Sequence, residues 1–329
     1  MSNLCGIFGC IIREGEAVKL ITDGLKRLEY RGYDSTGVAV IDNNEMDIRK
    51  DKGRIEEVVR DQRILEMSGK IGLGHTRWAT HGAPAMENAH PHTDGSGSIA
   101  LIHNGVIENY MELKDELIEK GHVFKSRTDT EVIPHLIEEE MKSDVGIQGA
   151  MLRVLSRLRG SYALVVLSTH EPDKMYVARN ESPLVLGVSD NGTFCASDVP
   201  ALLPYTNQVN YLRNGEMAVL DVDGFRIIKI SDGSEIERPN TEITWSPEMA
   251  EKQGYKHYML KEIFEQPTSL RDGLRLQENY LDLLTQFLDR GKEVFLVAAG
   301  TSFHSCLAGS YLFSKLARLT TFPVVSSEF

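Results

Sequence analysis

The chain opens Met1-Ser2-Asn3-Leu4-Cys5-Gly6-Ile7-Phe8-Gly9. A cysteine followed by a glycine and a short apolar run reads as the start of a strand. Two readings of Cys5 stand side by side. It is a buried thiol at a strand start. Or, were the four leading residues absent, it carries both a thiol and a free α-amine. That pair is a complete small catalytic unit: the thiolate is the nucleophile, and an amine of unperturbed pKa about 7.7–8.0 is the base.

Working outward, residues 6–12 and 36–42 are apolar and β-branched and predict strands. Between them Val18, Ile21, Leu25 and Leu28 form a helical stripe, closed by the turn Tyr30-Arg31-Gly32-Tyr33-Asp34. A helix is expected over 54–67. Strands over 71–76 and 99–103 frame a polar loop from Thr80 to Gly97, the kind of strand-held loop that carries binding residues. Asn109 is expected to cap a helix through Lys120, with Glu112 in the capping-box position. Further helices are expected over 129–141, adjusted locally at Pro134, and 147–158. After Gly160 six short strands follow, near 161–168, 174–179, 184–188, 193–197, 216–221 and 225–230. Strand-rich ends around a helical middle predict an α+β domain of two sheets covered by helices.

Residues 231–250 are polar, contain Pro239 and Pro247, and read as a linker. Helices near 257–266 and 269–289 precede a strand over 293–298, which runs into Gly300-Thr301-Ser302 and a helix to about Arg318. This is the β-loop-α start of a parallel sheet. The amides and hydroxyls at Thr301 and Ser302 suit a phosphate or serve as a plain helix cap. The final residues, Phe322-Pro323-Val324-Val325-Ser326-Ser327-Glu328-Phe329, are a strand pattern that stops, so the segment reads as cut short.

Composition narrows the function classes. The 329 residues suffice for two domains. The 48 acidic against 36 basic residues, net −12, leave no basic surplus to neutralise phosphates, which argues against nucleic-acid or anionic-membrane partners. Cys5, Cys10, Cys195 and Cys306 show no CxxC spacing and read as reduced thiols of a cytoplasmic protein. No apolar run approaches the ~20 residues of a membrane span, and the N-terminus lacks a signal-peptide pattern.

Five groups of residues then converge. They are Cys5-Gly6-Ile7-Phe8-Gly9, Leu28-Glu29-Tyr30-Arg31-Gly32-Tyr33-Asp34-Ser35, Gly74-His75-Thr76-Arg77-Trp78-Ala79-Thr80-His81-Gly82, His103-Asn104-Gly105 and Ser126-Arg127-Thr128-Asp129-Thr130-Glu131. Together they closely resemble the glutaminase domain of the glutamine–fructose-6-phosphate aminotransferase (glucosamine-6-phosphate synthase) family. The resemblance implies a four-layer αββα fold of the N-terminal-nucleophile hydrolases over 5–230, a linker over 231–250, and an incomplete sugar-isomerase (SIS) domain over 251–329.

The resemblance also implies roles. Cys5 attacks the glutamine side-chain amide, with its own amine relaying the proton. Asn104 and the N–H of Gly105 form the oxyanion hole. Arg77 holds the glutamine α-carboxylate, for which a guanidinium fork is suited, and Asp129 pairs with the α-ammonium. Trp78, Thr80 and His81 line the same pocket, and Arg31 supports the nucleophile. Thr301 and Ser302 are part of a sugar-phosphate site. Taken singly these residues have plainer readings. Arg77 and Asp129 would be surface ion-pair members, Asn104-Gly105 a turn, and Trp78 a core or edge aromatic. His81, His90 and His92 raise a metal site, but no further ligand stands at convincing spacing. No metal and no cofactor is expected.

The implied reaction of the full-length enzyme converts L-glutamine and D-fructose 6-phosphate into L-glutamate and D-glucosamine 6-phosphate, with a homodimer expected. Two departures qualify it. Family members begin Met-Cys, whereas Met1–Leu4 precede the nucleophile here. A cleaved propeptide, a start codon at position 4, or an inactive glutaminase are the alternatives. The isomerase residues that form a Schiff base and move the proton lie beyond Phe329, and Ala299 stands where the family typically has a cysteine. The competing readings are a non-catalytic remnant or regulatory protein that binds glutamine or sugar phosphate, and a glutaminase subunit feeding a separate synthase.

Overall fold

The computed structural model describes residues 5–78, 83–244, 255, 258–273, 278–291 and 293–329. The chain divides after Gly254 into two units, described separately.

The first unit is built on two antiparallel sheets. One runs in the order β15-β11-β9-β10-β1-β4-β2-β3. Its central strands are β1 (Gly6–Ile12) and β4 (Ile71–Arg77), flanked by β2 (Ser35–Asp42) and β3 (Glu45–Lys52) on one side. On the other side lie β10 (Gly192–Ala196), β9 (Val185–Ser189), β11 (Gln208–Tyr211) and β15 (Thr241–Glu242). The other sheet runs β14-β13-β12-β8-β7-β6-β5. It contains β5 (His92–Thr93), β6 (Ile99–Ile107), β7 (Gly160–Ser168), β8 (Met175–Asn180), β12 (Glu216–Leu220), β13 (Phe225–Lys229) and β14 (Glu235–Ile236).

Strand parity sorts the side chains into layers, because successive residues of a strand face opposite ways. All seven residues of β1 are buried, so both of its faces are covered. Phe8, Cys10 and Ile12 pack with Val18, Ile21 and Leu25 of helix α1 (Ala17–Arg27) and with Ile55 and Val58 of α2 (Ile55–Asp61). Ile7 and Ile11 face the other way, into a core shared with Ala100 and Ile102 of β6 and Val165 and Leu167 of β7. The outer face of the second sheet packs Leu101, Leu164 and Val166 against α3 (Tyr110–Glu119), α4 (Val132–Met141) and α5 (Gly146–Arg157). The layer order is helices, sheet, sheet, helices, as the sequence led us to expect.

Several local expectations need correction. The polar stretch 45–52 is a strand, β3, paired along its whole length with β2; its alternation is masked because one edge of it is open to solvent. The helix expected over 54–67 is α2 followed by a separate 3-10 turn at Ile64–Glu66, interrupted where Arg63 takes φ 51°. Asn109 precedes α3 but makes no side-chain cap. Its amide instead donates to Arg157 O at 3.0 Å and accepts from Arg159 N at 3.0 Å, tying α3 to the end of α5. Helix α4 begins only at Val132, which puts Pro134 in the first turn. There the N–H has no intrahelical acceptor to lose, so no adjustment is needed. The expected linker carries β14 and β15, paired with β13 and β11; its residues 245–250 lie outside the described residues.

The second unit contains α6 (Tyr258–Gly273), α7 (Glu278–Arg290), β16 (Val294–Ala298), α8 (Thr301–Leu312) and β17 (Thr321–Val325). Strands β16 and β17 pair in parallel, Val294 opposite Thr321 through Ala298 opposite Val325, with α8 as the crossover. The expected β-loop-α order is present. Among its described residues only Lys261 and Thr321 are buried.

Candidate active site

The site forms where β1, β4 and β6 end together. Gly6 pairs with Thr76 across β1 and β4, so one step outward the backbone brings Cys5 beside Arg77. Cys5 shares the parity of Ile7, and its thiol therefore faces the seam between the sheets. On β6, Asn104 shares the parity of Ala100 and Ile102 and faces the same seam from the other sheet. A cleft there is lined by Cys5, His75, Arg77, Trp78, Gly105 and Asp129, among others.

Cys5 is held at several points. Its sulfur accepts the backbone N–H of Trp78 at 3.1 Å. Its carbonyl accepts from Arg31 Nε at 3.2 Å and from Asn104 Nδ2 at 2.9 Å. Arg31 in turn pairs with Asp198 Oδ2 at 3.2 Å, the same oxygen that accepts the Tyr30 hydroxyl at 2.5 Å. Burial pushes the Cys5 thiol pKa up. The Trp78 N–H and the charges of Arg77 and Arg31 oppose that push, and Asp34 adds to it.

Asn104 is oriented by His75. The Nε2 of His75 lies 2.9 Å from Asn104 Oδ1 and 3.1 Å from His103 O. Both neighbours are acceptors, so Nε2 carries the proton. The carboxamide oxygen is thereby turned towards His75 and the NH2 towards Cys5. Gly105 takes φ 134°, and a Cβ there would lie 2.0 Å from Ser161 O; only glycine fits. Asn104-Gly105 is thus the interior of a strand, not a turn.

Arg77 and Asp129 are both buried. Burial lowers the Arg77 pKa, while the charges of Cys5, Asp129 and Asp34 raise it. Asp129 Oδ2 accepts the N–H of Ile107 at 2.7 Å, which fixes the carboxylate against the end of β6. Trp78 is 42% exposed and meets Tyr33 edge-to-face at 5.6 Å.

Of the residues expected at the site, Cys5, Arg31, Arg77, Trp78, Asn104, Gly105 and Asp129 are brought together. Thr80 and His81 lie outside the described residues. Thr301 and Ser302 are the first two residues of α8 in the second unit, following Gly300 at φ 59°. Sequence reading missed His75 as the group that orients Asn104, although its parity with Arg77 on β4 was a usable signal. It also missed Gly32, where a Cβ would come within 2.8 Å of Trp78 N and 2.7 Å of Arg77 C. That close approach lets the Tyr30–Asp34 turn support the peptide that contacts the sulfur.

Behind the site four imidazoles cluster in the interior. His75 and His90 rings are 4.2 Å apart and His90 and His92 rings 4.7 Å apart. His90 Nδ1 accepts the backbone N–H of His103 at 3.2 Å. His92 Nε2 meets Thr128 Oγ1 at 3.1 Å, and His103 Nδ1 meets Thr130 Oγ1 at 2.9 Å. Burial drives the pKa of His75 down to about 3 and lowers those of His90, His92 and His103. These rings are uncharged scaffolding that joins β4 and β6 to the 126–131 loop.

Residues 75–204 match the family model of the glutamine amidotransferase domain. The chain is 49% identical over 326 residues to the glutamine–fructose-6-phosphate aminotransferase (isomerizing) of Thermococcus kodakarensis, covering 99% of this chain and 54% of that protein. It is 40% identical over 334 residues to the protein of the same name from Clostridium acetobutylicum, with 99% and 54% covered. The chain thus spans about half the length of these curated relatives. Among solved structures, the glutamine phosphoribosylpyrophosphate amidotransferase of B. subtilis is similar at TM-score 0.60 and 30% identity, over 69% of this chain and 50% of that one.

Proposed function

We propose that this chain, which carries a class-II glutamine amidotransferase domain of N-terminal-nucleophile hydrolase type, is the glutamine-hydrolysing part of a glutamine–fructose-6-phosphate aminotransferase. The observation that carries the reading is the meeting of Cys5, Arg77, Gly105 and Asp129 in one cleft, with the Asn104 amide held against the Cys5 carbonyl at 2.9 Å.

In this reading Arg77 takes the glutamine α-carboxylate and Asp129 the α-ammonium, so the side-chain amide is directed to Cys5. The thiolate attacks the amide carbon, and negative charge develops on the amide oxygen. Asn104 Nδ2 and the Gly105 N–H are the donors assigned to that charge; loss of one such donor typically costs about 10²–10³ in kcat. The tetrahedral adduct collapses by breaking the carbon–nitrogen bond. The leaving nitrogen takes the proton drawn from the thiol and departs as ammonia, leaving a γ-glutamyl thioester. Water then adds to the thioester, glutamate leaves, and the proton returns to sulfur. The base is the Cys5 α-amine, which exists only when Met1–Leu4 are absent from the mature polypeptide. Burial raises the thiol pKa, which favours a base placed close to the sulfur.

Ammonia would serve the amination of fructose 6-phosphate in the complete enzyme. Thr301 and Ser302 at the start of α8 would form part of the sugar-phosphate site of an SIS domain begun by the second unit. A homodimeric cytoplasmic enzyme is the corresponding assembly.

Glutamate release from glutamine, measured with and without fructose 6-phosphate, tests the reading. Cys5→Ala is expected to abolish release. Intact-mass analysis of the active polypeptide should show Cys5 as its first residue. Full glutaminase activity with residues 1–4 still attached would overturn the amine-base mechanism, and unchanged release by Cys5→Ala would overturn the assignment of the nucleophile.

A further inference from the structure

We propose that His122, His135 and Glu138 form a binding site for a divalent transition-metal ion, Zn2+ by preference, that clamps the α3–α4 connection of the first unit. Three donor atoms converge there. His122 Nδ1 lies 3.1 Å from His135 Nδ1 and 3.3 Å from Glu138 Oε2, and His135 Nδ1 lies 3.5 Å from the same oxygen. Tetrahedral ligands bonded at about 2.0–2.1 Å stand about 3.3 Å from one another, which is the size of this triangle.

His122 Nε2 lies 2.7 Å from Glu139 Oε1, so the proton of a neutral His122 ring resides on Nε2. Its Nδ1 then presents a lone pair to a carboxylate oxygen and to a second imidazole nitrogen. If both Nδ1 atoms carried hydrogens, those hydrogens would collide along the 3.1 Å edge. If only one does, another edge sets two lone pairs against each other. A cation at the centre satisfies all three edges at once.

The surroundings match the way such ions are supported. A ligating imidazole usually gives its other N–H to a carboxylate. Glu139 stands in that position for His122; His135 Nε2 makes no hydrogen bond, Glu131 Oε1 standing 4.0 Å away. His135 is buried. Two imidazoles and one carboxylate suit zinc among the common divalent ions. A cleft lined by Gly95, His122, Glu138 and the lysines Lys120, Lys125 and Lys142 reaches the site and gives entry and room for a fourth ligand. The lysines favour an anionic ligand there over a second cation.

The residues come from different elements. His135 and Glu138 share one face of α4 at i,i+3, and His122 follows α3, its N–H on Leu117 O at 3.0 Å. Glu138 Oε2 also accepts the N–H of Gly95 at 3.2 Å, and Glu131 accepts those of Lys125 and Ser126. An ion would therefore hold the 120–131 connection and the 95–98 loop to α4.

The experiment is titration of the chelator-stripped full chain with ZnCl2, read by competition with a chromophoric chelator and by thermal unfolding. One equivalent is expected to bind and to raise Tm by a few degrees. His122→Gln and Glu138→Gln should each weaken binding at least about tenfold, and Glu139→Gln about 10–100-fold. Co2+ should give the d–d bands of a tetrahedral nitrogen–oxygen site. Circular dichroism of the metal-free variants shows whether each is folded; if one is not, the others decide. Failure of the wild type to bind an equivalent, binding unchanged in the folded variants, or a thiolate charge-transfer band placing the ion on cysteine would each overturn the proposal.

Discussion

His75 Nε2 stands 2.9 Å from Asn104 Oδ1, and through that one contact β4 sets the direction of a carboxamide on the facing sheet. The NH2 of Asn104 consequently points at Cys5 rather than away from it. The relation makes His75 a positioning residue. In His75→Ala the amide of Asn104 is free to turn. We expect kcat for glutamate release to fall about 10²-fold with KM for glutamine nearly unchanged, since Arg77 and Asp129 are untouched. Steady-state kinetics check this; a change confined to KM would contradict it. Asn104→Ala in the same background should cost little more, because the two act as a unit.

Gly32 supports the sulfur through bare backbone. Its absent Cβ leaves room for Trp78 N, which donates to Cys5 at 3.1 Å. Gly32→Ala is expected to push the Arg77–Trp78 peptide away and lower kcat by about 10²-fold. Ala substitution at solvent-exposed Gly121, which has nothing within reach of a Cβ, is the control for a general loss of stability. Its positive φ makes it a test of strain alone. Equal loss of activity in both would contradict the idea.

Thiol labelling should report the balance at Cys5. With Met1–Leu4 attached and burial holding the thiol pKa above its ordinary value, little thiolate exists at pH 7. The iodoacetamide rate should climb about tenfold per pH unit and continue to rise above about pH 8.5, where an ordinary thiol levels off. Arg77 lowers this pKa, so Arg77→Gln should shift the profile to still higher pH and slow labelling at any fixed pH below the plateau. Peptide mapping assigns the label to Cys5. An unmoved profile in Arg77→Gln would show that the guanidinium does not act on the sulfur.

The clustered buried imidazoles predict weakness to mild acid. In the unfolded chain they take up protons near pH 6.5, whereas folded His75 does so only at about pH 3, and His90, His92 and His103 are lowered too. Below pH 6.5 the unfolded state therefore binds more protons, and stability falls as pH falls. Each such ring contributes a slope of about 1.4 kcal/mol per pH unit. Urea midpoints of the chain at pH 6.5, 5.8 and 5.0 should decline steeply, and His92→Gln should flatten the decline by about one proton. A midpoint independent of pH over that range would contradict the neutral assignment.

The elements that could be read from sequence are those whose pattern matches their burial. Strand β1 is apolar throughout because both of its faces are covered, and α1 shows its stripe through Val18, Ile21 and Leu25. Strand β3 was hidden because it lies at a sheet edge, where charged side chains are tolerated. β14 and β15 were hidden because two-residue strands carry no period. At the site, residue types that bind or attack stood out in the sequence. His75 and Gly32 did not, because one acts by orienting a neighbour and the other by lacking a side chain. His122 and His135 are thirteen positions apart and belong to different elements; only the folded chain sets them face to face.

The double burial of β1 has a consequence for what the N-terminal region tolerates. Phe8, Cys10 and Ile12 are committed to one layer and Ile7 and Ile11 to the other. Adding or deleting a single residue between Cys5 and Ile7 would rotate the thiol half a turn about the strand, out of reach of Asn104 and into the layer of α1. Even-numbered insertions would keep its facing but carry it along the strand. The sulfur is therefore located by counting from Ile7, and lengthening the chain ahead of Cys5 leaves that count intact.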